Sequence, residues 1–188
     1  MTRPLEAFSR RAMKAILVAR LEAGKRGADS ITLDDLVIGL ITEDQDPTSM
    51  ELNYESPIVK EFLEREPKPL GVLFPLEAWK KRERFFSSDV ADDLLAKLKE
   101  ILPRSSSIPR TNEMHTSPEF QTAIQAAEQL QKEFHQENVH PLHLLASALR
   151  EPCEGTKMLQ EAGITEEKVL QTIRAGGDLE TGRSLQTE

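Results

Sequence analysis

The sequence predicts an all-α fold built of two similar helical units in tandem, and three observations lead to this prediction. Aromatic residues make up only 5% of the 188 residues, so the core must consist mainly of Leu, Ile, Val and Ala, which suits helices packed on helices. Apolar residues recur every three or four positions along several segments that begin with helix-capping residues. The chain also matches itself without a gap when residues 9–41 are aligned with residues 117–149.

This alignment of the chain with itself, which we call the internal match, is strongest in its apolar pattern. Five of its thirty-three positions are identical, which alone is weak evidence, but apolar residues coincide at further positions. Ile31 falls on Val139, for example, and Val37 falls on Leu145. Equal spacing of apolar residues predicts equal burial, and therefore two copies of one structural unit.

Several of the predicted helices begin or end at a recognisable signal. Ser9 begins a stripe of apolar residues that ends near Gly27, and Thr32 to Asp35 resembles a capping box. Ser117 precedes Pro118 at a helix start in the second copy. The predicted helices follow these starts: 9–26, 32–41, 56–64, 88–102, 117–134, 141–149, 155–162 and 165–175.

The helices group into a single double domain over residues 1–176. Repeat one covers residues 1–102 and contains an insertion at 66–87 that the second copy lacks, and a polar linker follows at 103–113. Repeat two covers residues 114–176, and a tail without periodicity, predicted to be flexible, occupies 177–188. We keep the names repeat one and repeat two for these stretches.

Composition and motifs exclude several classes of function. The net charge of −8 argues against broad binding of nucleic acid or anionic membranes. The single cysteine, Cys153, excludes an internal disulfide framework and a multi-cysteine zinc site, and its surroundings in sequence predict an unreactive thiol. The sequence contains no Walker-type glycine loop, GxSxG or HExxH motif and no apolar run of membrane-spanning length. The N-terminus has charges where a signal peptide needs apolar residues, so we expect a cytoplasmic protein.

The residues of both units resemble the Clp repeat, which occurs twice in the N-terminal domain of Clp/Hsp100 AAA+ unfoldases. The resemblance rests on Phe8-Ser9-Arg10-Arg11-Ala12 and Ile31-Thr32-Leu33-Asp34-Asp35-Leu36 in repeat one, and on Val139-His140-Pro141-Leu142-His143-Leu144 in repeat two. It implies an all-α, pseudo-twofold double repeat, about four helices in each, that binds adaptors or substrates of an unfoldase. Since no AAA+ module follows within the 188 residues, we expect a free-standing, non-enzymatic interaction domain without a cofactor.

The same resemblance suggests where a ligand would bind. In some family members each repeat holds phosphoarginine through the Thr of F-T-x-R-A and the Glu of G-T-E-H. The positions that match are Ser9 and Asp34 in repeat one, and Ser117 and Leu142 in repeat two. Because leucine accepts no hydrogen bond from a guanidinium group, the resemblance leaves only the pocket of repeat one as a candidate.

Simpler interpretations stand beside these. Ser9 and Asp34 occupy predicted helix starts, where both residue types are favoured for capping alone. Trp79, Arg82 and Phe86 in the insertion either form an interaction hot spot or cap the groove between the repeats. The three histidines at 135, 140 and 143 lack the spacing of a metal site, and the carboxylates at 43–46 fit a solvated loop.

Protein quality control is therefore the predicted setting, with a Clp subunit, an adaptor or a client protein as the partner. The alternatives are a nucleic-acid-associated regulator that uses basic residues of the first helix and a small enzyme of unknown type. The first helix supplies several cations for such a regulator, including Arg11, Lys14 and Arg26.

Overall fold

The computed structural model describes residues 7–45, 84–105 and 114–176, and these residues form an all-α fold, as predicted. The helices in chain order are α1 (Arg10–Lys25), α2 (Leu33–Gln45), α3 (Ser88–Ile101), α4 (Pro118–Glu133), α5 (Pro141–Ala148), α6 (Glu154–Glu161) and α7 (Glu166–Arg174). Two short strands, β1 (Ser30–Ile31) and β2 (His115–Thr116), complete the secondary structure of these ranges. The predicted helix at 56–64, most of the insertion and the tail lie outside the described residues, so the domain boundaries stay predictions.

Side-chain caps are present at three of the helix starts that the sequence predicted. The Ser9 hydroxyl accepts a hydrogen bond from Ala12 N at 3.1 Å, and the Ser117 hydroxyl accepts one from Phe120 N at 3.2 Å. Thr165 caps α7 in the same way through Lys168 N. Each cap satisfies a backbone N–H that the helix itself leaves without a partner.

The two repeats exchange backbone hydrogen bonds at their strands. β1 pairs in parallel with β2, with Ile31 opposite Thr116, and a single bridge joins Phe8 to Val139. At the offset of the internal match, Phe8 corresponds to Thr116 and Ile31 to Val139, so the two pairings are counterparts of each other. Ser9 N accordingly donates to Val139 O at 2.8 Å, and Ser117 N donates to Ile31 O at 2.9 Å.

The turns that follow α1 and α4, the first helices of the two repeats, also correspond to each other. Gly27 has a φ of 68°, and His135, its counterpart in the internal match, has a φ of 52°. Both residues donate a backbone hydrogen bond into the end of the preceding helix, from Gly27 to Gly24 and from His135 to Lys132. These matched contacts support the interpretation of the sequence as two related units.

The core lies where α1 crosses α2, and it continues from there into repeat two. Gly39 permits this crossing, because a Cβ at this position would lie 2.1 Å from the carbonyl oxygen of Ala15. Ser147 occupies the corresponding position of α5 and is fully buried. The helices of repeat one therefore approach more closely than a side chain at position 39 would allow.

Several charged residues of repeat one are buried in ion pairs. Arg11 donates to both carboxylate oxygens of Glu43, at 2.8 and 3.1 Å, and Arg26 donates to Asp35 at 2.6 Å. The expected solvated loop at 43–46 is therefore wrong for Glu43, and also for Asp44, because both lie buried in α2.

Asp44 fixes the segment that leads into α3. Its carboxylate accepts hydrogen bonds from the backbone N–H groups of Phe85 and Phe86, both at 2.9 Å. Phe86 is only 3% exposed and belongs to the core. An exposed hot spot that includes Phe86 is therefore wrong, whereas Trp79 and Arg82 lie outside the described residues.

Candidate protein-interaction groove

A groove with a volume of about 800 Å³ lies between the starts of α2 and α4 and the segment that joins α5 to α6. Residues of both repeats line it, so it exists only when the repeats are packed together. Most of the residues that line it have polar or charged side chains; the lining comprises Thr32, Leu33, Asp34, Ser117, Glu119, Leu149, Arg150, Glu151, Pro152, Cys153, Glu154, Thr156, Lys157 and Gln160. We call this surface the inter-repeat groove.

Asp34 connects the two walls of the inter-repeat groove. One of its carboxylate oxygens accepts a hydrogen bond of 2.6 Å from the backbone N–H of Gly155, in the first turn of α6. Asp34 thus caps a helix of repeat two rather than its own helix α2, which Thr32 and Asp35 cap reciprocally. Gly155 is suited to this contact because a Cβ would lie 3.1 Å from that same oxygen.

Cys153 lies beside Asp34 and caps α6, since its sulfur accepts a hydrogen bond from Thr156 N at 3.3 Å. Burial raises the pKa of the Cys153 thiol to about 11, and the neighbouring Asp34 carboxylate acts in the same direction. A thiol with a raised pKa holds its proton at neutral pH and is a poor nucleophile. This agrees with the unreactive thiol that the sequence predicted.

The resemblance paired Ser9 with Asp34, but Ser9 is not among the residues that line the groove with Asp34. Asp34 shares the inter-repeat groove with Ser117 of repeat two, whereas Ser9 is 2% exposed and bonded to Val139. A pocket of Ser9 with Asp34 stays a prediction, whereas Asp34 and Ser117 meet across the repeats. The cause is the parallel pairing of β1 with β2, which carries the start of α4 next to the start of α2.

Most of the charged residues in the groove carry no recognisable motif in the sequence. Four of the lining residues are acids and two are bases. One of the bases, Arg150, is already held by Glu166 at 2.6 Å. The signal for these residues was weak, because Glu151 precedes α6 and Glu154 begins it, and only the packing of α6 brings both to the groove.

Three basic residues that a nucleic-acid-associated regulator would use are buried in this structure. Arg11, Lys14 and Arg26 are each at most 8% exposed, and two of them form the ion pairs described above. Buried cations cannot release the counterions of a nucleic-acid backbone. The burial of these three residues therefore counts against the alternative of a nucleic-acid-associated regulator.

Two histidines of repeat two, His140 and His143, are buried. His143 is 1% exposed, and its Nδ1 accepts a hydrogen bond from His140 N at 2.9 Å. Burial, together with the charge on His140, lowers the pKa of His143 to about 4. Across residues 7–45, 84–105 and 114–176, no three His, Cys, Asp or Glu side chains are grouped to hold a metal ion.

Fold and groove together define a helical domain whose two halves are joined at matched strands and share a polar recess. The chain matches the family model of the Clp repeat (R) N-terminal domain over residues 91–184, which is half of its length. It belongs to this family, and domains of this kind typically serve in protein interaction rather than in catalysis.

Solved structures show the same fold. The N-terminal domain of the chaperone ClpD from Arabidopsis thaliana is 17% identical with a TM-score of 0.55, over 94% of this chain and 99% of that one. A chain from a study of a malarial protein secretion system is 13% identical with a TM-score of 0.53, over 90% and 94%. A comparison with curated protein sequences finds no match. None of the helices in the described ranges has the length and apolar character needed to cross a membrane.

Proposed function

We propose that this chain is a non-catalytic, cytoplasmic protein-interaction domain of protein quality control that binds a Clp unfoldase subunit, its adaptor or a client protein. The observation that supports this most strongly is the inter-repeat groove within a domain of the Clp N-terminal family. The groove places charged side chains from both repeats along one recess. Such a recess suits recognition of a peptide segment by hydrogen bonds and charge.

Asp34 is the central residue of the proposed surface. One of its oxygens is fixed by Gly155, and the side chain remains partly exposed at the groove. The fixed oxygen holds the carboxylate in one orientation, so a ligand does not have to order it on binding. Ser9 caps α1 from a buried position and has a structural part in this proposal. Trp79 and Arg82 are proposed as a second contact, in the insertion.

The experiment measures binding of the purified chain to the purified Clp unfoldase, with and without its adaptor, from the same source, by isothermal titration calorimetry. We expect saturable binding with a dissociation constant of about micromolar strength. The unfoldase's own isolated N-terminal domain should compete with the chain for the adaptor or the client. Absence of binding to unfoldase, adaptor and a model client would refute the proposal.

Two variants separate the groove from the rest of the surface. Asp34→Asn removes the charge but retains an oxygen that can accept the hydrogen bond from Gly155 N, so the fold should persist. Asp93→Asn is the matched control, because Asp93 is an exposed acid of α3 paired with Lys97 outside the groove. We expect the first variant to weaken binding about tenfold and the second to leave it unchanged.

A further inference from the structure

The first helices of the two repeats differ in how much of their surface is buried. Three side chains spaced four residues apart on α1 are apolar, and at the offset of the internal match their counterparts in α4 are glutamines: Met13, Leu17 and Leu21 against Gln121, Gln125 and Gln129. Leu17 is 1% exposed and Met13 is 8% exposed, whereas all three glutamines are exposed. Helix α1 therefore buries a row of side chains that its counterpart leaves in solvent.

This row, which we call the outer face of α1, lies on the side of the helix opposite to α2. Helix α2 approaches α1 at Ala15 and Ala19, since a Cβ at Gly39 would lie 2.1 Å from Ala15 O and 3.1 Å from Ala19 N. Leu17 is two positions from each of these alanines, which is about 160° around a helix of 3.6 residues per turn. The core between α1 and α2 therefore does not explain the burial of Leu17.

The other described elements do not explain it either, because they surround both first helices in the same way. Helix α1 packs on α2 and also contacts α5, and α4 in turn packs on α5 and also contacts α2. The two helices thus have corresponding neighbours in the described part of the chain, and yet only α4 displays its outer positions to solvent. The cover of the outer face of α1 is therefore expected in a stretch that repeat one has and repeat two lacks.

The insertion at 66–87 is such a stretch. Its large apolar residues are concentrated at 70–76, which contain Leu70, Val72, Leu73, Phe74 and Leu76. The residues before Ala7 offer two large apolar side chains, Met1 and Leu5, and the chain that follows them is paired with Val139 of repeat two. The insertion is thus the richer source of apolar side chains for a face of this length.

Both ends of the chain segment 46–83 lie beside the first turn of α1. Glu43, near the end of α2, binds Arg11 there, and its neighbour Asp44 holds the backbone N–H groups at positions 85 and 86. From Arg11 the outer face extends along α1 to position 21, a distance of about 15 Å at 1.5 Å per residue. An extended chain covers about 3.3 Å per residue, so the residues at 66–83 are sufficient to reach the whole face.

We propose that the outer face of α1 is a docking surface for the chain's own insertion, whose apolar side chains at 70–76 cover Met13, Leu17 and Leu21. Trp79 and Arg82 follow this stretch and are not part of the docked set. Repeat two needs no such cover, because glutamine side chains are stable in water whereas leucine gains free energy on burial. The inference goes beyond the proposed function, since the inter-repeat groove does not depend on what covers this face.

The test measures how fast iodoacetamide labels single cysteines in the full chain, followed by mass spectrometry. Cys153→Ser removes the free thiol and retains a residue that caps helices well. On this background Leu17→Cys places a thiol on the outer face, and Gln125→Cys places one at the matched, exposed position of α4. We expect Leu17→Cys to be labelled at least about tenfold more slowly than Gln125→Cys, because a buried site reacts only when the structure opens locally.

A second background replaces residues 69–77 with a glycine–serine chain of equal length and identifies the occupant. Labelling of Leu17→Cys should then rise about tenfold or more, to within about twofold of Gln125→Cys. Leu144→Cys is the control for the core, because Leu144 is fully buried, and it should stay protected in both backgrounds. If Leu144→Cys loses its protection, the variant Leu73→Ser, Phe74→Ser takes the place of the glycine–serine chain, with the same expectation.

Several results would overturn the proposal. Equal labelling of Leu17→Cys and Gln125→Cys with the native insertion would show that the outer face is open. A Leu17→Cys thiol that stays protected after the changes in the insertion would show a different occupant. Removal of residues 1–6 would then identify the N-terminal segment, and dilution would identify a second copy of the chain, if either one restores labelling. Loss of protection at Leu144→Cys in the two-serine variant as well would show that residues 70–76 support the core instead.

Discussion

The starts of α2 and α5 correspond to each other in the internal match, but their side chains differ in kind. At the start of α2, Asp35 is bonded to Arg26 at 2.6 Å. The corresponding residues of repeat two are His143 and Phe134, whose rings stand 6.3 Å apart. One backbone arrangement thus holds an ion pair in repeat one and a ring contact in repeat two. The backbone position is shared by the two repeats, and the side chains determine whether it holds an ion pair or a ring contact.

The same comparison extends to the groove. Asp34 reaches across to Gly155 at the groove, whereas the matching Leu142 is 6% exposed and belongs to the core. A leucine at a helix start contributes burial but no polar contact to a ligand. The two corresponding helix starts therefore differ in position: that of α2 lies at the groove, and that of α5 lies in the core.

The largest expected effect concerns the helix crossings. Gly39→Ala should destabilise the protein by about 3 kcal/mol or more, because its Cβ would collide with the backbone of α1 at Ala15. Ser147→Ala at the matching position should cost about 1 kcal/mol, for the loss of its hydrogen bond to Leu144 O. Urea unfolding followed by circular dichroism measures both, and equal losses would show that the two crossings are equally close.

The next largest effect is expected at the buried ion pair between Arg26 and Asp35. Asp35→Ala should destabilise the protein by about 3 kcal/mol, because it leaves the buried charge of Arg26 without its carboxylate. The double variant Arg26→Met, Asp35→Leu should recover most of that loss, since apolar residues of similar volume can replace a buried ion pair. A double variant as unstable as Asp35→Ala in the same unfolding experiment would contradict this account.

The smallest expected effect is a loss of protein stability in acid, and it depends on His143. Because the pKa of His143 falls from 6.5 to about 4 in the folded protein, the unfolded chain binds an extra proton between these values. The stabilisation is complete above pH 6.5 and is lost as the pH falls towards 4. Between about pH 7 and pH 5 this loss amounts to about 1 to 2 kcal/mol.

Melting temperatures at these two pH values, for the wild type and His143→Asn, measure this effect. The variant removes the titrating group, so its melting temperature should depend less on pH than that of the wild type. Identical pH dependence of the two proteins would show that His143 does not carry the effect.

The fold could be predicted from the sequence to a large extent, because its signals are local. A hydroxyl at Ser9, Ser117 or Thr165 followed by a helical stripe is sufficient to predict a capped helix, and each cap is present. The family resemblance used the same local residues. Helix boundaries within the described ranges therefore agree with the prediction to within a few residues.

The site was predicted less well, because its signals are not local. Asp34 was found through the resemblance, but its contact with Gly155 spans 121 positions of sequence. The burial of Glu43 and Phe86 had the same cause, since each depends on a partner from a distant segment. Pairing of strands from different repeats leaves no periodic trace in the sequence.

The reciprocal strand pairing has a consequence for how the chain acquires its structure. Ser9 needs the carbonyl of Val139, and Ser117 needs the carbonyl of Ile31, so the start of α1 lacks this backbone partner until the chain extends past residue 139. During synthesis the first unit is completed only after the second has emerged, because contacts so distant in sequence form late. Heating should then melt both halves in one cooperative transition, since each supplies hydrogen bonds that the other cannot replace.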